Sequence, residues 1–135
     1  METYGKAMEL VHNPHFFEQR QNALSGLNLE AIDEPIIDLI AGFGKLSYCF
    51  TLHCCYGHFQ YGNQTNAKNV EPLPDRDKDI DVDYRIAYLA VSVQNNELGR
   101  ELLKDLCGLT LIDPENIQYG SADWFWERQK NSYVV

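Results

Sequence analysis

The sequence predicts an α+β fold, with N-terminal helices and one later helix packed on a mixed β-sheet. Three observations carry this. Apolar residues recur at helical spacing in four separate stretches. Two other stretches, around residues 48–53 and 84–94, are rich in aromatic and β-branched residues that favour strands. The chain of 135 residues is the size of one domain, and no linker or internal repeat divides it, so residues 1–135 are read as a single unit.

The elements follow in order. Tyr4, Ala7, Met8 and Val11 sit at i, i+3, i+4, i+7 and predict a first helix. Asn13 and Pro14 punctuate the chain and open a second, whose apolar side is Phe16, Phe17, Ala23, Leu24 and Leu27. A third opens at Asp33 or Glu34 before Pro35, with the stripe Ile36, Leu39, Ile40 and Phe43. Its leading acids suit the positive end of the helix dipole. Residues 48–53 then read as a strand, and residues 61–83 as a long acidic loop carrying Pro72, Pro74 and an aspartate run. Residues 84–94 are apolar on both faces and predict a central strand. Asn95 or Asn96 caps a helix with Leu98, Leu102, Leu103 and Leu106, stopped by Gly108. Residues 109–112 and 117–119 are short strand candidates, residues 122–129 a helical turn or two, and residues 132–135 a last strand.

Charge and cysteine usage exclude several classes. Lys+Arg is 11 against 20 Asp+Glu, a formal net charge of −9, which repels phosphate backbones and disfavours broad nucleic-acid binding. No apolar stretch is long enough to cross a bilayer, so no membrane partner is expected. The N-terminus lacks the apolar core of a secretory signal. Cys49, Cys54, Cys55 and Cys107 are therefore read as reduced thiols of a cytoplasmic protein. The phosphate-loop, dinucleotide, nucleophile-elbow and zincin patterns are all absent.

The chemistry concentrates in His53-Cys54-Cys55-Tyr56-Gly57-His58. This stretch is expected to form a turn at the end of the strand, where a reactive group is accessible. Cys55 and His58 are spaced C-x-x-H and, with His53 as a third ligand, suit zinc. Alternatively Cys55 is a nucleophile or redox thiol whose pKa is lowered by His53 or His58. Against both stands ordinary packing of Cys54 and Cys55 as small hydrophobes, with Gly57 needed only for the turn.

Residues 16–58 resemble the N-terminal part of the wybutosine-synthesis tRNA methyltransferase family. That family has an aromatic-basic helix, an acid-led helix and a strand ending in Thr-x-Ser-Cys-Ser-Gly-Arg. Phe17 and Arg20 match the first element and residues 33–40 the second. Thr51, Cys55 and Gly57 match the Thr, Cys and Gly of the third, while Cys54, Tyr56 and His58 replace the serines and the arginine. The resemblance implies an α+β fold and S-adenosylmethionine-dependent chemistry on a nucleoside or tRNA.

Two further clusters have bland and functional readings. Asp75, Asp77, Asp79, Asp81 and Asp83 alternate, but the glycine and glutamate of a calcium loop are missing, so a solvated loop is expected. Trp124, Phe125 and Trp126, with Glu127 and Arg128, either close one end of the core or form an aromatic wall for a ligand. The sequence thus points first to a domain binding a small ligand or metal at residues 53–58. Thr51 and Gly57 belong to that site, and Trp124, Glu127 and Arg128 are its second wall. The alternatives are the methyltransferase-like enzyme and a non-catalytic homodimer, joined through the exposed edge of the C-terminal strand or the Trp124–Trp126 surface.

Overall fold

The computed structural model describes residues 4–61 and 82–135. Strands β1 (Tyr4–Gly5), β2 (Cys49–Cys55), β5 (Tyr88–Val93), β6 (Gly120–Ala122) and β7 (Ser132–Val134) form one sheet in the order β1-β6-β7-β5-β2. Strands β3 (His58–Tyr61) and β4 (Val82–Arg85) form a separate two-stranded ladder. The helices are α1 (Phe16–Ser25), α2 (Ile37–Gly44), α3 (Glu97–Gly108) and the short α4 (Asp123–Trp126). The α+β class holds. The sheet, however, is antiparallel at every described pairing and not mixed. The long connections, through α1 and α2 from β1 to β2 and through α3 from β5 to β6, join strands that are not neighbours in the sheet, so no parallel crossover pair arises from them.

The sheet buries both faces. On one, Cys49, Leu89, Val91, Val93 and Tyr133 meet Ile40 of α2 and Leu106 of α3. On the other, Tyr88, Ala90, Ala122 and Val134 are covered by Leu52, Cys55, Trp124 and Phe125. Burial on both sides is why β5 is apolar but for Ser92, whose hydroxyl donates to the Lys130 carbonyl at 3.1 Å. Helix α3 starts at Asn96, whose side-chain oxygen accepts the Gly99 N–H at 2.8 Å. Its inner face includes buried Gly99, where a Cβ would overlap the Gln94 carbonyl, while Leu98 of the expected stripe is 55% exposed.

Several expectations are corrected. Residues 4–11 do not form a helix. Tyr4–Gly5 pairs with β6, and the chain then runs extended, stapled to the far end of the sequence. Met8 N–H donates to Ser121 Oγ at 2.8 Å, Tyr133 OH donates to the Met8 carbonyl, and Asn131 exchanges two 2.8 Å bonds with the Val11 backbone. These cross-chain bonds outcompete a marginal helix of two turns. Leu109–Leu111 is a 3₁₀ turn continuing α3, residues 117–119 lie outside any strand, and the strand falls at Gly120–Ala122. The strand expected over 84–94 is interrupted at Ile86 and Ala87. The last strand, β7, is paired on both sides, so it offers no free edge for a homodimer.

Candidate functional site

Residues 53–58 do not make a turn. β2 and β5 pair Cys54 with Leu89 and Cys55 with Tyr88, and the next ladder pairs His58 with Arg85. The same register carries across, with Tyr56 and Gly57 standing opposite Ala87 and Ile86. The hairpin is therefore one long ribbon with a kink. Gly57 supplies it at φ 89°, a conformation costly for residues with a Cβ. The sequence signal was a real irregularity, but the strand continues beyond it.

A second irregularity lies upstream. Cys49, Phe50 and Thr51 pair with Val93, Ser92 and Val91, but His53 pairs with Ala90, so Leu52 is an extra residue in a bulge. Antiparallel pairs alternate between hydrogen-bonded and non-bonded. Gln94 N–H donates to the Tyr48 carbonyl at 2.8 Å, which turns the peptide groups of Cys49 and Thr51 away from β5. Leu89 exchanges both its bonds with Val135, at 2.8 and 3.0 Å, which turns those of its partner Cys54 outward too.

β2 is the edge of the sheet, and this outward row is sealed at both ends. Arg20 of α1 donates to the carbonyls of Cys49, Leu46 and Gly44 at 2.9–3.2 Å. At the other end Asp33 accepts the Tyr56 N–H at 3.0 Å. Between the seals lies a cavity of about 760 Å³, framed by α1, residues 26–33 and β2. That size suits a small organic ligand. Thr51, His53, Cys54, Asp33, Asn22 and Gln129 give it its polar lining. Thr51 Oγ1 and Gln129 Oε1 are both shut off from solvent and have no hydrogen-bond partner among the described residues. Buried polar groups are nearly always paired, and two exceptions on one cavity are a signal.

The expected site residues separate into groups. Thr51 and His53 line this cavity. His53 Nδ1 is held by a short hydrogen bond with the hydroxyl of Tyr88, a residue the sequence reading placed only in the strand. Successive strand residues face opposite sides, so Cys54 and Cys55 diverge. Cys55 lines a different, apolar cavity, and its sulfur accepts the Gly57 N–H at 3.4 Å. His53 and Cys55, two residues apart, lie on the same side of β2, but His53 borders the polar cavity while Cys55, with Cys54 beside it, borders the apolar one. Burial, then Asp33, then Cys55 push the Cys54 thiol up, which keeps it protonated. The side chain of His58 lies outside those described. Among the described residues no group of three His, Cys, Asp or Glu is arranged to hold a metal.

The tryptophan segment does approach β2. Trp124 and Phe125 pack on the cluster that Cys55 also covers, and the Phe125 ring lies 6.4 Å from His53. Trp126 turns to the other face, edge-on to Tyr133 at 5.8 Å. Arg128 lies 4.9 Å over the Phe125 ring and donates to the Trp124 carbonyl at 3.3 Å, which fixes the segment from outside, and Glu127 is exposed. These three expected wall residues do not line the polar cavity; Gln129, a residue later, does. The expected alternating aspartates fall outside the described residues, except Asp83, whose side chain is not described. No helix among the described residues is long and apolar enough to cross a membrane. No family model, curated protein or solved structure matches the chain.

Proposed function

We propose that the protein binds a small polar molecule, uncharged or cationic, in the cavity along the edge of β2. The observation that carries this reading is the pair of partnerless atoms, Thr51 Oγ1 and Gln129 Oε1, on one cavity wall. Rotation of the Gln129 and Thr51 side chains toward the cavity lets a bound molecule with an N–H or O–H donor satisfy Gln129 Oε1 and a second polar group satisfy the Thr51 hydroxyl. The outward peptide groups of Thr51 and Cys54 add a donor and an acceptor. The described lining contains the Asp33 carboxylate and no lysine or arginine, which favours neutral or positive ligands over phosphates and carboxylates.

His53 stands at this wall with one ring nitrogen committed to Tyr88, which leaves the other for a ligand. The methyl-transfer reading rests on the sequence resemblance, of which Thr51 is the one matched residue of the strand motif on this cavity.

The test is a thermal-shift screen of neutral and cationic amides, amines and heterocycles, each repeated on Gln129→Leu. Binders of the wild type are expected to lose at least about tenfold in affinity in the variant, as a buried hydrogen bond to a ligand implies. A set of binders indifferent to Gln129→Leu, or a parallel screen of carboxylates and phosphates that alone yields binders, refutes the reading.

A further inference from the structure

A second cavity adjoins the first. It holds about 380 Å³ and lies between α2, the kink of the ribbon and the end of α3, lined by Leu39, Phe43, Cys55, Tyr56, Leu106 and Val135 among others. No charged residue is among its described lining. Ile40 and Cys54 line both cavities. Ile40 is fixed in the core at 1% exposure. The half-buried Cys54 side chain is thus the part of the partition that lies nearest the surface. Leu39 and Tyr56, half exposed at 50% and 53%, stand on the apolar side of it.

The contrast between the two halves defines a ligand. One half has unpaired polar atoms and a carboxylate; the other is apolar throughout. Neither described lining has a lysine or arginine to hold an anionic head. The geometry points to an amphipathic small molecule whose amide, hydroxyl or amine head fills the cavity on β2 and whose hydrocarbon arm crosses Cys54 into the apolar cavity. This rests on the reading that the polar cavity binds a small molecule, and it specifies the class. Free fatty acids and anionic phospholipids find no lysine or arginine in either described lining to hold their head groups.

Amide-resolved NMR titrations of the whole chain with propionamide, octanamide and octanoate test it. Octanamide is expected to bind at least about tenfold more tightly than propionamide, a gain that two buried methylenes already supply. Octanoate is expected to bind at least about tenfold more weakly than octanamide. Leu39→Asp, at a half-exposed position the fold tolerates, should erase the octanamide gain and leave propionamide binding unchanged. Octanamide binding no tighter than propionamide overturns the arm while leaving the polar site standing. Equal binding of octanoate, or a gain that survives Leu39→Asp, also overturns the inference. Octanamide binding without propionamide binding, and indifferent to Gln129→Leu, refutes the polar site itself.

Discussion

Thr51→Val separates a functional hydroxyl from a structural one. Valine keeps the branched shape and the strand preference of threonine and replaces only Oγ1 by a methyl group. In the folded protein Oγ1 is shut off from solvent and has no partner among the described residues. A buried hydroxyl left unpaired costs about 1–3 kcal/mol, so the variant should be more stable than the wild type by about 1–2 kcal/mol. For a chain of 135 residues that raises Tm by about 3–8 °C. Urea and thermal unfolding without ligand read the gain directly. With a saturating ligand the order should narrow or reverse. A ligand at a hundred times its Kd adds about 2.7 kcal/mol to the wild type and less to the variant. A Thr51→Val protein less stable than wild type would show that the hydroxyl already serves the fold, and the argument for a ligand there would be lost.

Three other perturbations probe the frame around the site. Asn131→Ala removes both bonds to Val11 and places alanine at φ 60°, so it should cost about 2–4 kcal/mol in urea unfolding and loosen residues 6–13 in amide exchange. Gly99→Ala drives a Cβ into the Gln94 carbonyl and should cost about 3 kcal/mol despite the better helix propensity of alanine, measured by the same unfolding curve. Burial, only partly offset by Arg20, raises the Cys49 thiol from 9.0 to about 11. Above pH 9 the unfolded chain therefore releases this proton while the folded one keeps it. Stability should fall between pH 9 and 11 by up to about 2–3 kcal/mol, and Cys49→Ala should flatten that part of the profile.

The helices beyond residue 14 and the central strand were legible because each carries a periodic apolar pattern, although burial takes up only part of each helical stripe, leaving Phe17, Leu39 and Leu98 at least half exposed. Ile40, Leu106 and the whole of β5 are buried where the pattern put them. The N-terminal stripe had the same period and failed, because Asn131, Ser121 and Tyr133, more than a hundred residues away, claim its backbone. Local periodicity carries no trace of such bonds. The site was half legible. Residue types marked the stretch from His53 as unusual and Thr51 as part of it, yet two consecutive cysteines on a strand must face apart. The partners that complete the cavity, Gln129 and Asp33, come from segments with no motif of their own. Tyr88 read as a core residue, and its hydroxyl found His53 only because the Leu52 bulge shifts the register by one.

The bulge also bears on whether the edge can pair with another strand. An added β-strand needs outward peptide groups on every second residue. Here the outward positions are Thr51 and then Cys54, three apart, with Leu52 unpaired between them. A regular strand bonded at Thr51 is out of phase at Cys54, so the edge disfavours the addition of another strand. Deleting Leu52 would bring Thr51 and Cys54 to strand spacing and continue the ladder without a break. The deletion also removes a side chain from the second core cluster, a loss of about 2–4 kcal/mol that Leu52→Ala reproduces with the bulge retained. Light scattering across a concentration series distinguishes the two. The deletion should associate through its regularised edge at concentrations where Leu52→Ala is no more associated than the wild type. If both associate alike, exposed apolar surface is the cause and the bulge is not what guards the edge.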